Sequence, residues 1–309
     1  MNEFDLIARL TRSLPNNRNV VVGAGDDCAI LDVGMGDRLL LFKTDAVVQD
    51  VHFTTATAPE KVGHKALGRC LSDIAGMAGM PTAALVTLGL PKGFETSFIE
   101  GIYEGLGALA RKYDVAVVGG ETTSSPGGIF ISVALIGWVE RGKAVLRSGA
   151  EPSDALFVTG ELGGSLAGKH LHFEPRITEA RWLVQNFSIH AMMDISDGLA
   201  GDLRHLLRAS KLGAELLATS IPISREAKAA GKGDAAKPPL LAALTDGEDF
   251  ELLFSIASRD AVPLLDAWKT QFPNLRLTCI GKTFTGDGIR IRDEKGVRPL
   301  TAHGYAHFA

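Results

Sequence analysis

Cysteine is scarce. Cys28, Cys70 and Cys279 are the only three in 309 residues, and none belongs to a CxxC pair. They read as small apolar side chains in a reducing compartment rather than as a disulfide framework. Long apolar runs are missing too: no stretch approaches the roughly 18 residues that suggest a bilayer span. The N-terminus, Met1-Asn2-Glu3-Phe4-Asp5, has no basic region leading into an apolar stretch. The expectation is a cytoplasmic protein with no membrane association. Runs of Lys or Arg are absent and the net charge is −4, which argues against nucleic acid as a partner. Several motifs are also wanting: a GxxxxGK[ST] phosphate loop, HExxH, GxSxG, and GxGxxG between a strand and a helix. If a nucleotide binds, no Walker loop binds it. The eight histidines form no metal-ligand pattern; His170 and His172 would share a face on a strand, which a polar surface explains better.

What the chain has in quantity is glycine, 35 residues, much of it beside acids. The clusters are Gly25-Asp26-Asp27, Thr44-Asp45, Ser72-Asp73, Gly119-Gly120-Glu121-Thr122, Asp194-Ile195-Ser196-Asp197-Gly198 and Gly247-Glu248-Asp249. Most follow or interrupt an apolar run, which places them at strand ends, loops or helix termini where side chains converge on a ligand. Oxygen donors without clustered Cys or His suit a hard cation such as Mg2+, the usual companion of nucleotide phosphates. Glycine lets backbone approach a phosphate.

The chain is 46% hydrophobic and 22% charged, as expected of a folded globular protein long enough for two domains. Apolar runs at 38–43, 83–90, 115–118 and 129–139 predict strands, and helical spacing covers about 59–79 and 96–112, where Phe98, Ile102, Leu106 and Leu109 define one face. The class is mixed α/β. The small, polar and breaker residues from Arg147 to Asp154 predict a domain boundary, giving residues 1–148 and 149–309. In the second half a strand at 155–158, a helix after Gly198, and strands near 250–256, 275–280 and 288–292 are expected. Residues 226–238 read as a mobile surface excursion.

Each cluster has a plainer reading. Asp26-Asp27 fits a turn-forming pair after a strand. Asp73 sits in helical, apolar company and needs a cation, hydrogen bonds or solvent. Ser196 or Asp197 fits a helix N-cap, and Gly119-Gly120-Glu121 falls at a strand's carboxyl end, a favoured ligand position in open α/β sheets. Six such clusters in one chain argue against six independent caps and turns.

In combination and in order, these motifs resemble the thiamine-monophosphate kinase family, whose superfamily includes aminoimidazole ribonucleotide synthetase, selenophosphate synthetase and the hydrogenase-maturation dehydratase. The residues that carry the resemblance run nearly end to end. They include Gly25-Asp26-Asp27-Cys28-Ala29, Val51-His52-Phe53, Lys65-Ala66-Leu67-Gly68, Leu71-Ser72-Asp73-Ile74-Ala75, Gly119 to Thr123 and Arg147-Ser148-Gly149-Ala150. Glu174-Pro175-Arg176, Asp194 to Leu199, Gly247 to Leu252 and Gly304-Tyr305-Ala306-His307-Phe308 complete the series. The resemblance implies ATP-dependent phosphorylation of thiamine monophosphate to thiamine diphosphate, with several Mg2+ ions. It implies a homodimer whose N-terminal sheets pair into a barrel, and a C-terminal α/β sandwich. Position by position, Asp26, Asp27, Thr44, Asp45, Asp73, Glu121, Asp194 and Asp197 look like the Mg2+ shell. Tyr103, Gly120, Glu121, Arg147 and Ser196 match nucleotide-contacting positions, and His52, Glu248 and Tyr305 match substrate-contacting ones. Asp45, Arg147 and Lys43 are the residues expected to serve the transfer itself.

Four positions depart from the family pattern. Lys43 stands where the family usually has a metal-contacting Ser, and its ammonium is expected to replace one Mg2+ against the phosphates; a solvated strand-end Lys is the alternative. Glu121 replaces the usual Asp, and Gln49-Asp50 replaces an acid followed by a small residue. Two other readings stay open: another phosphorylated or acyl acceptor within the superfamily, and a catalytically silent nucleotide-binding protein. The absence of a glycine-rich Cys segment near the N-terminus argues against selenophosphate synthetase, and the absence of a C-terminal Cys against the hydrogenase-maturation branch.

Overall fold

The computed structural model describes residues 3–231 and 236–305. Its first half runs α1 (Glu3–Thr11), β1 (Val20–Val22), β2 (Ala29–Leu31), β3 (Arg38–Val48), α2 (Pro59–Gly76), β4 (Met80–Leu90), α3 (Thr96–Lys112), β5 (Ala116–Ser124) and β6 (Phe130–Glu140). The strands form one sheet in the order β1-β2-β3-β6-β4-β5, antiparallel except for the parallel β4–β5 pair. Alternation along β3 and β6 buries Leu39, Leu41, Val47, Ile131, Val133, Leu135 and Val139 under α2 and α3. The opposite face stays open, and one part of it is apolar: the paired row Phe42–Ile136–Ala83 lies on it, with Leu85 one row along. Leu85 is 48% exposed and Phe42 46%.

The second half contributes β7 (Ala155–Thr159), α4 (Ile177–Asn186), β8 (Ile189–Asp194), α5 (Leu199–Ser210), β9 (Gly213–Leu217), α6 (Arg225–Ala230), α7 (Pro239–Thr245), β10 (Leu252–Ile256), α8 (Ala261–Gln271), β11 (Leu277–Phe284), β12 (Ile289–Asp293) and β13 (Gly296–Pro299). These strands order as β13-β12-β9-β11-β7-β10-β8. The central strands β7 and β10 are buried along their whole length, so both faces of this sheet are covered. Phe157, Phe254 and Met192 point into a core shared with α2, α4 and α8, while Leu156, Val158, Met193 and Leu253 pack under α5 and α7. Helix α2 therefore lies between the two sheets, touching β3, β4 and β6 on one side and β8 and β10 on the other. Its close crossing with α3 requires glycine. A Cβ on Gly63 would stand 1.8 Å from the Ile102 carbonyl oxygen, and one on Gly105 1.8 Å from that of Glu60.

Some expectations need correction. Thr44-Asp45 does not end a strand; β3 continues to Val48 because Ala46-Val47-Val48 keep the alternation and pair with β6. Gly119-Gly120-Glu121-Thr122 is likewise not a loop beyond a strand but the middle of β5, which follows β4 through a bulge. Residues 225–230 form α6, capped by the Ser224 side chain on the Ala227 N–H, rather than a mobile excursion, and 232–235 lie outside the described residues. So does Ala306-His307-Phe308 of the terminal motif.

One buried ion cluster ties loops of the second half together. Glu251, 1% exposed, accepts from Arg176 Nε and Nη2 at 2.7 and 2.8 Å, from Lys169 Nζ at 2.7 Å and from Thr159 Oγ1 at 2.8 Å. Burial alone would raise this carboxyl, but the two cations hold it down at about 2. Its folded value is depressed, so its contribution is present above the ordinary 4.5 and lost as pH falls toward about 2. Glu251→Gln is expected to cost roughly 3–5 kcal/mol at neutral pH, because it leaves Arg176 and Lys169 uncompensated. Urea titrations of both proteins should show the difference shrinking below pH 4.5. Gly63→Ala should cost about 1–3 kcal/mol or more by overpacking the helix crossing, read from the same titrations at pH 7.

Candidate active site

Helix α2 is the helix on which the site is built. Lys65, Arg69, Ser72, Asp73 and Gly76 recur at steps of three and four on one side of an otherwise apolar helix. Lys65 is 1% exposed, Ser72 2% and Asp73 7%, so these polar groups need partners, and each has them. Lys43 and Asp45, on the α2-facing side of β3, supply two: Lys43 Nζ meets Asp73 Oδ1 at 2.8 Å, and Asp45 accepts Arg69 Nε and Nη2 at 2.9 and 3.1 Å.

The turn after β1 brings Asp26 and Asp27 to the same place. Arg147 donates its backbone N–H to Asp26, at 3.1 Å to Oδ2, and its guanidinium to Asp27 Oδ1, with Nε at 3.0 Å. At the end of β8, Asp194 Oδ2 accepts from Ser72 Oγ at 2.6 Å. Oxygens of Asp27, Asp73 and Asp194, all buried, lie within 4.8 Å of one another. Gly76 permits this approach, since a Cβ there would stand 2.3 Å from Asp27 Oδ2. Burial and the neighbouring Asp27 push the Asp194 carboxyl up to about 7 and that of Asp26 up to about 6. Burial raises Asp73 well above the carboxylate range even against the pull of Lys43. Asp45 goes the other way, since Arg69 and Lys43 more than offset its burial. Asp27 Oδ2 is buried with no hydrogen-bond partner. Three converging carboxylates, one with an orphaned oxygen, fit a hard divalent cation.

Beside the cluster is a cavity of about 420 Å³ lined by His52, Lys65, Arg69, Ser196, Asp197, Glu248 and Tyr305, among others. The loop 195–198 and the loop 246–250 build one wall together. Glu248 N–H donates to Ser196 O at 2.6 Å and Phe250 N–H to Ile195 O at 2.8 Å, with Glu248 and Phe250 both at positive φ. Tyr305 is tied in by its N–H to Asp197 O at 2.8 Å. His52 Nδ1 accepts the Val48 N–H at 3.1 Å, which leaves Nε2 as the protonated nitrogen of the neutral ring. Lys65 donates to His52 O at 2.9 Å and pairs with Glu248. Arg69 Nη1 reaches Glu248 Oε1 at 3.3 Å, so one guanidinium links the acid cluster to the cavity.

Thus Asp26, Asp27, Lys43, Asp45, Asp73, Arg147 and Asp194 come together in one group, and His52, Ser196, Asp197, Glu248 and Tyr305 in the adjoining one. Ser196 and Asp197 are not helix caps: α5 starts from Gly198 with no side-chain cap, and Asp202 in its first turn instead accepts the Asp197 N–H at 3.1 Å. His170 is on a short 3-10 turn, not a strand, with Nδ1 2.9 Å from Ser165 O. Thr44 points away from the cluster, its Oγ1 3.3 Å from Ser132 Oγ. Glu121 shares the row Ala46–Ser132–Thr87–Glu121, also on the open face. Gly120 is on the same strand, where a Cβ would meet Val86 O at 1.8 Å, and Tyr103 is half-exposed on α3. None of these four lines the cavity. Sequence reasoning quoted Lys65 only within a motif and passed over Arg69 and Asp202. Their signal was available as cations at i and i+4 on an apolar helix, and as an acid in the first turn after Gly198.

Comparison with known proteins gives a consistent result. The family model for the AIR synthase related protein N-terminal domain matches residues 25–139, and that for the C-terminal domain matches 143–267. The thiamine-monophosphate kinase of Rhodopirellula baltica is 43% identical over 306 residues, 96% of this chain and 93% of that protein. That of Bacillus subtilis is 33% identical across the full length of both chains. Among solved structures, AaThiL complexed with AMPPCP and TMP superposes with a TM-score of 0.82 at 32% identity, covering 99% of this chain and 97% of the other. The hydrogenase-maturation protein HypE of E. coli shares the fold at 20% identity, with a TM-score of 0.73 and 97% of each chain covered. Matched along its whole length by relatives above 30% identity, and by both family models in order, the chain belongs to the thiamine-monophosphate kinase family of AIR synthase related proteins.

Proposed function

We propose that this chain transfers the terminal phosphoryl group of ATP to the phosphate of thiamine monophosphate, giving thiamine diphosphate and ADP. The observation that carries the reading is the junction at Arg69: a buried carboxylate cluster suited to divalent cations adjoins a cavity lined by His52, Glu248 and Tyr305, with one guanidinium touching both. The relatives named as thiamine-monophosphate kinases and the solved complex with AMPPCP and TMP support the same assignment.

Both reactants are anions, so charge repulsion is the main barrier and positioned cations are the main remedy. Asp26, Asp27, Asp45, Asp73 and Asp194 would hold Mg2+, with Asp197 beside them; Thr44 and Glu121, on the opposite face of the sheet, do not reach this cluster within one chain. Bound Mg2+ supplies Lewis-acid neutralisation of phosphate charge. Arg147 and Lys43 are kept protonated by their carboxylate partners against the effect of burial, and add fixed positive charge. The attacking phosphate oxygen is already ionised at neutral pH, so the carboxylates orient cations rather than abstract a proton. Glu248, held by Lys65 and Arg69, together with His52 and Tyr305, orients the thiamine moiety; Ser196, Tyr103 and Gly120 serve the nucleotide.

The open apolar face of the first sheet supports a homodimer in which two such sheets pair, since a contiguous apolar sheet face is seldom left in water. That would bring the residues facing it, Thr44 and Glu121, into an enclosed setting. The two domains are residues 1–148 and 149–309, a division supported by the separate sheets. Free cysteines and the lack, among the described residues, of any helix long and apolar enough to cross a membrane support a cytoplasmic setting.

Purified protein with ATP, Mg2+ and thiamine monophosphate should yield thiamine diphosphate by chromatography, and Asp45→Asn should reduce turnover about 100-fold or more. ATP binding without product would move the assignment to another acceptor or a silent binder. Glu248→Gln should raise the KM for thiamine monophosphate about tenfold while leaving ATP affinity unchanged; a pure kcat effect would remove Glu248 from the substrate site. Leu85→Asp should convert a dimer to a monomer in multi-angle light scattering, and an unchanged mass would rule out the sheet face as the interface.

A further inference from the structure

We propose that Lys43 and Arg69 are resident cations of the acidic site, standing at Asp73 and Asp45 in positions that divalent ions would otherwise fill. The inference rests on reading the cluster as the kinase's metal site and deepens that reading by fixing how many ions this chain needs.

Charge balance comes first. Asp26, Asp27, Asp45, Asp73 and Asp194 gather five acids against three cations, Lys43, Arg69 and Arg147, so acids outnumber the fixed cations of the cluster and leave room for a further positive charge. Geometry agrees. Lys43 is not a solvated strand-end lysine, because β3 runs on beyond it and its ammonium is 2.8 Å from Asp73 Oδ1 with the side chain 23% exposed. Arg69 engages both oxygens of Asp45, at 2.9 and 3.1 Å, and the Ala46 N–H adds a contact to Oδ1 at 2.8 Å. Asp45 is therefore committed unless Arg69 lets go. Asp27 differs: Arg147 takes Oδ1, while Oδ2 is buried with no partner. One oxygen each of Asp27, Asp73 and Asp194 lies within 4.8 Å of the others, and these three carboxyl groups define the place left for one ion.

The two resident cations have different fates. Lys43 has no second carboxylate partner among the described ion pairs, so it stays with Asp73 as a fixed charge. Arg69 also touches Glu248 at 3.3 Å. That second contact lies on the cavity side, where an anionic group of the substrate would meet the guanidinium. A positive charge that needs no metal also costs no ion dehydration, which Mg2+ resists.

The test uses nucleotide-free, full-length protein. Mn2+ binding is followed by electron paramagnetic resonance of the free ion, and thermal unfolding is measured in chelator and in excess Mg2+. Wild type should bind one Mn2+ per chain tightly. Lys43→Ser and Arg69→Gln should each bind a further ion, or bind the first about tenfold or more tightly, since a like charge beside the site has been removed. Both should melt lower than wild type in chelator and recover most of the loss in Mg2+, whereas Lys43→Arg should match wild type in ion count. Unchanged ion number and affinity would overturn the proposal. So would a loss of melting temperature that Mg2+ does not reduce, or failure to fold even with excess Mg2+, because a divalent ion should stand in for the missing cation. No ATP or thiamine monophosphate is present, so a chain inactive as a kinase but showing this ion count would sink the proposed activity and leave the inference standing.

Discussion

Everything in this structure is arranged around the electrostatic cost of placing several carboxylates together out of water. Like charges in a poorly polarisable interior repel strongly, and each one loses its hydration. The chain answers with fixed cations drawn from separate elements: Lys43 from β3, Arg69 from α2, Arg147 from the segment between the sheets. Two cations, Arg69 and Lys43, hold the Asp45 carboxyl down, whereas burial and neighbouring acids raise Asp194, and raise Asp73 even beside Lys43.

The helix that carries the polar row also explains the packing. Its apolar residues serve both sheets, so α2 cannot move without disturbing the core that the two sheets share. Burial of this kind, about 25 cal/mol per Å2 of apolar surface, is what holds polar groups in an environment that each would otherwise avoid. The glycines at 63, 105 and 76 follow from the same demand for close approach, the first two to a neighbouring backbone and the third to a carboxylate.

Much of this was legible in the residues. The helical spacing of 59–79 and 96–112 gave α2 and α3 nearly to the residue, because a long amphipathic pattern is a strong signal. The acidic clusters could be grouped because their flanking apolar runs and glycines marked loop and strand-end chemistry. What failed was local: the double glycine at 119–120 reads as a turn, yet an edge strand in parallel pairing accepts it through a bulge. Strand β9 went unseen because Gly213-Ala214-Glu215-Leu216-Leu217 is short and follows a helix directly. Arg69 was missed since a cation within an apolar helix looks like a solvated face until the partner strand is known. Which carboxylate pairs with which cation is a matter of three-dimensional approach, and no periodicity encodes it.

The position of α2 between the two sheets bears on how the protein is made. Lys43, Arg69 and Asp73 come from the first 76 residues, but Asp194 and Glu248 close the site from β8 and from the loop before β10. A ribosome-bound chain thus finishes the first sheet long before the site exists, and its buried cations wait beside acids they already neutralise. The three-carboxylate cluster is thus complete only once β8 has been made, and the cavity wall only once the loop before β10 has, so a fragment that ends before β8 carries the first sheet without either.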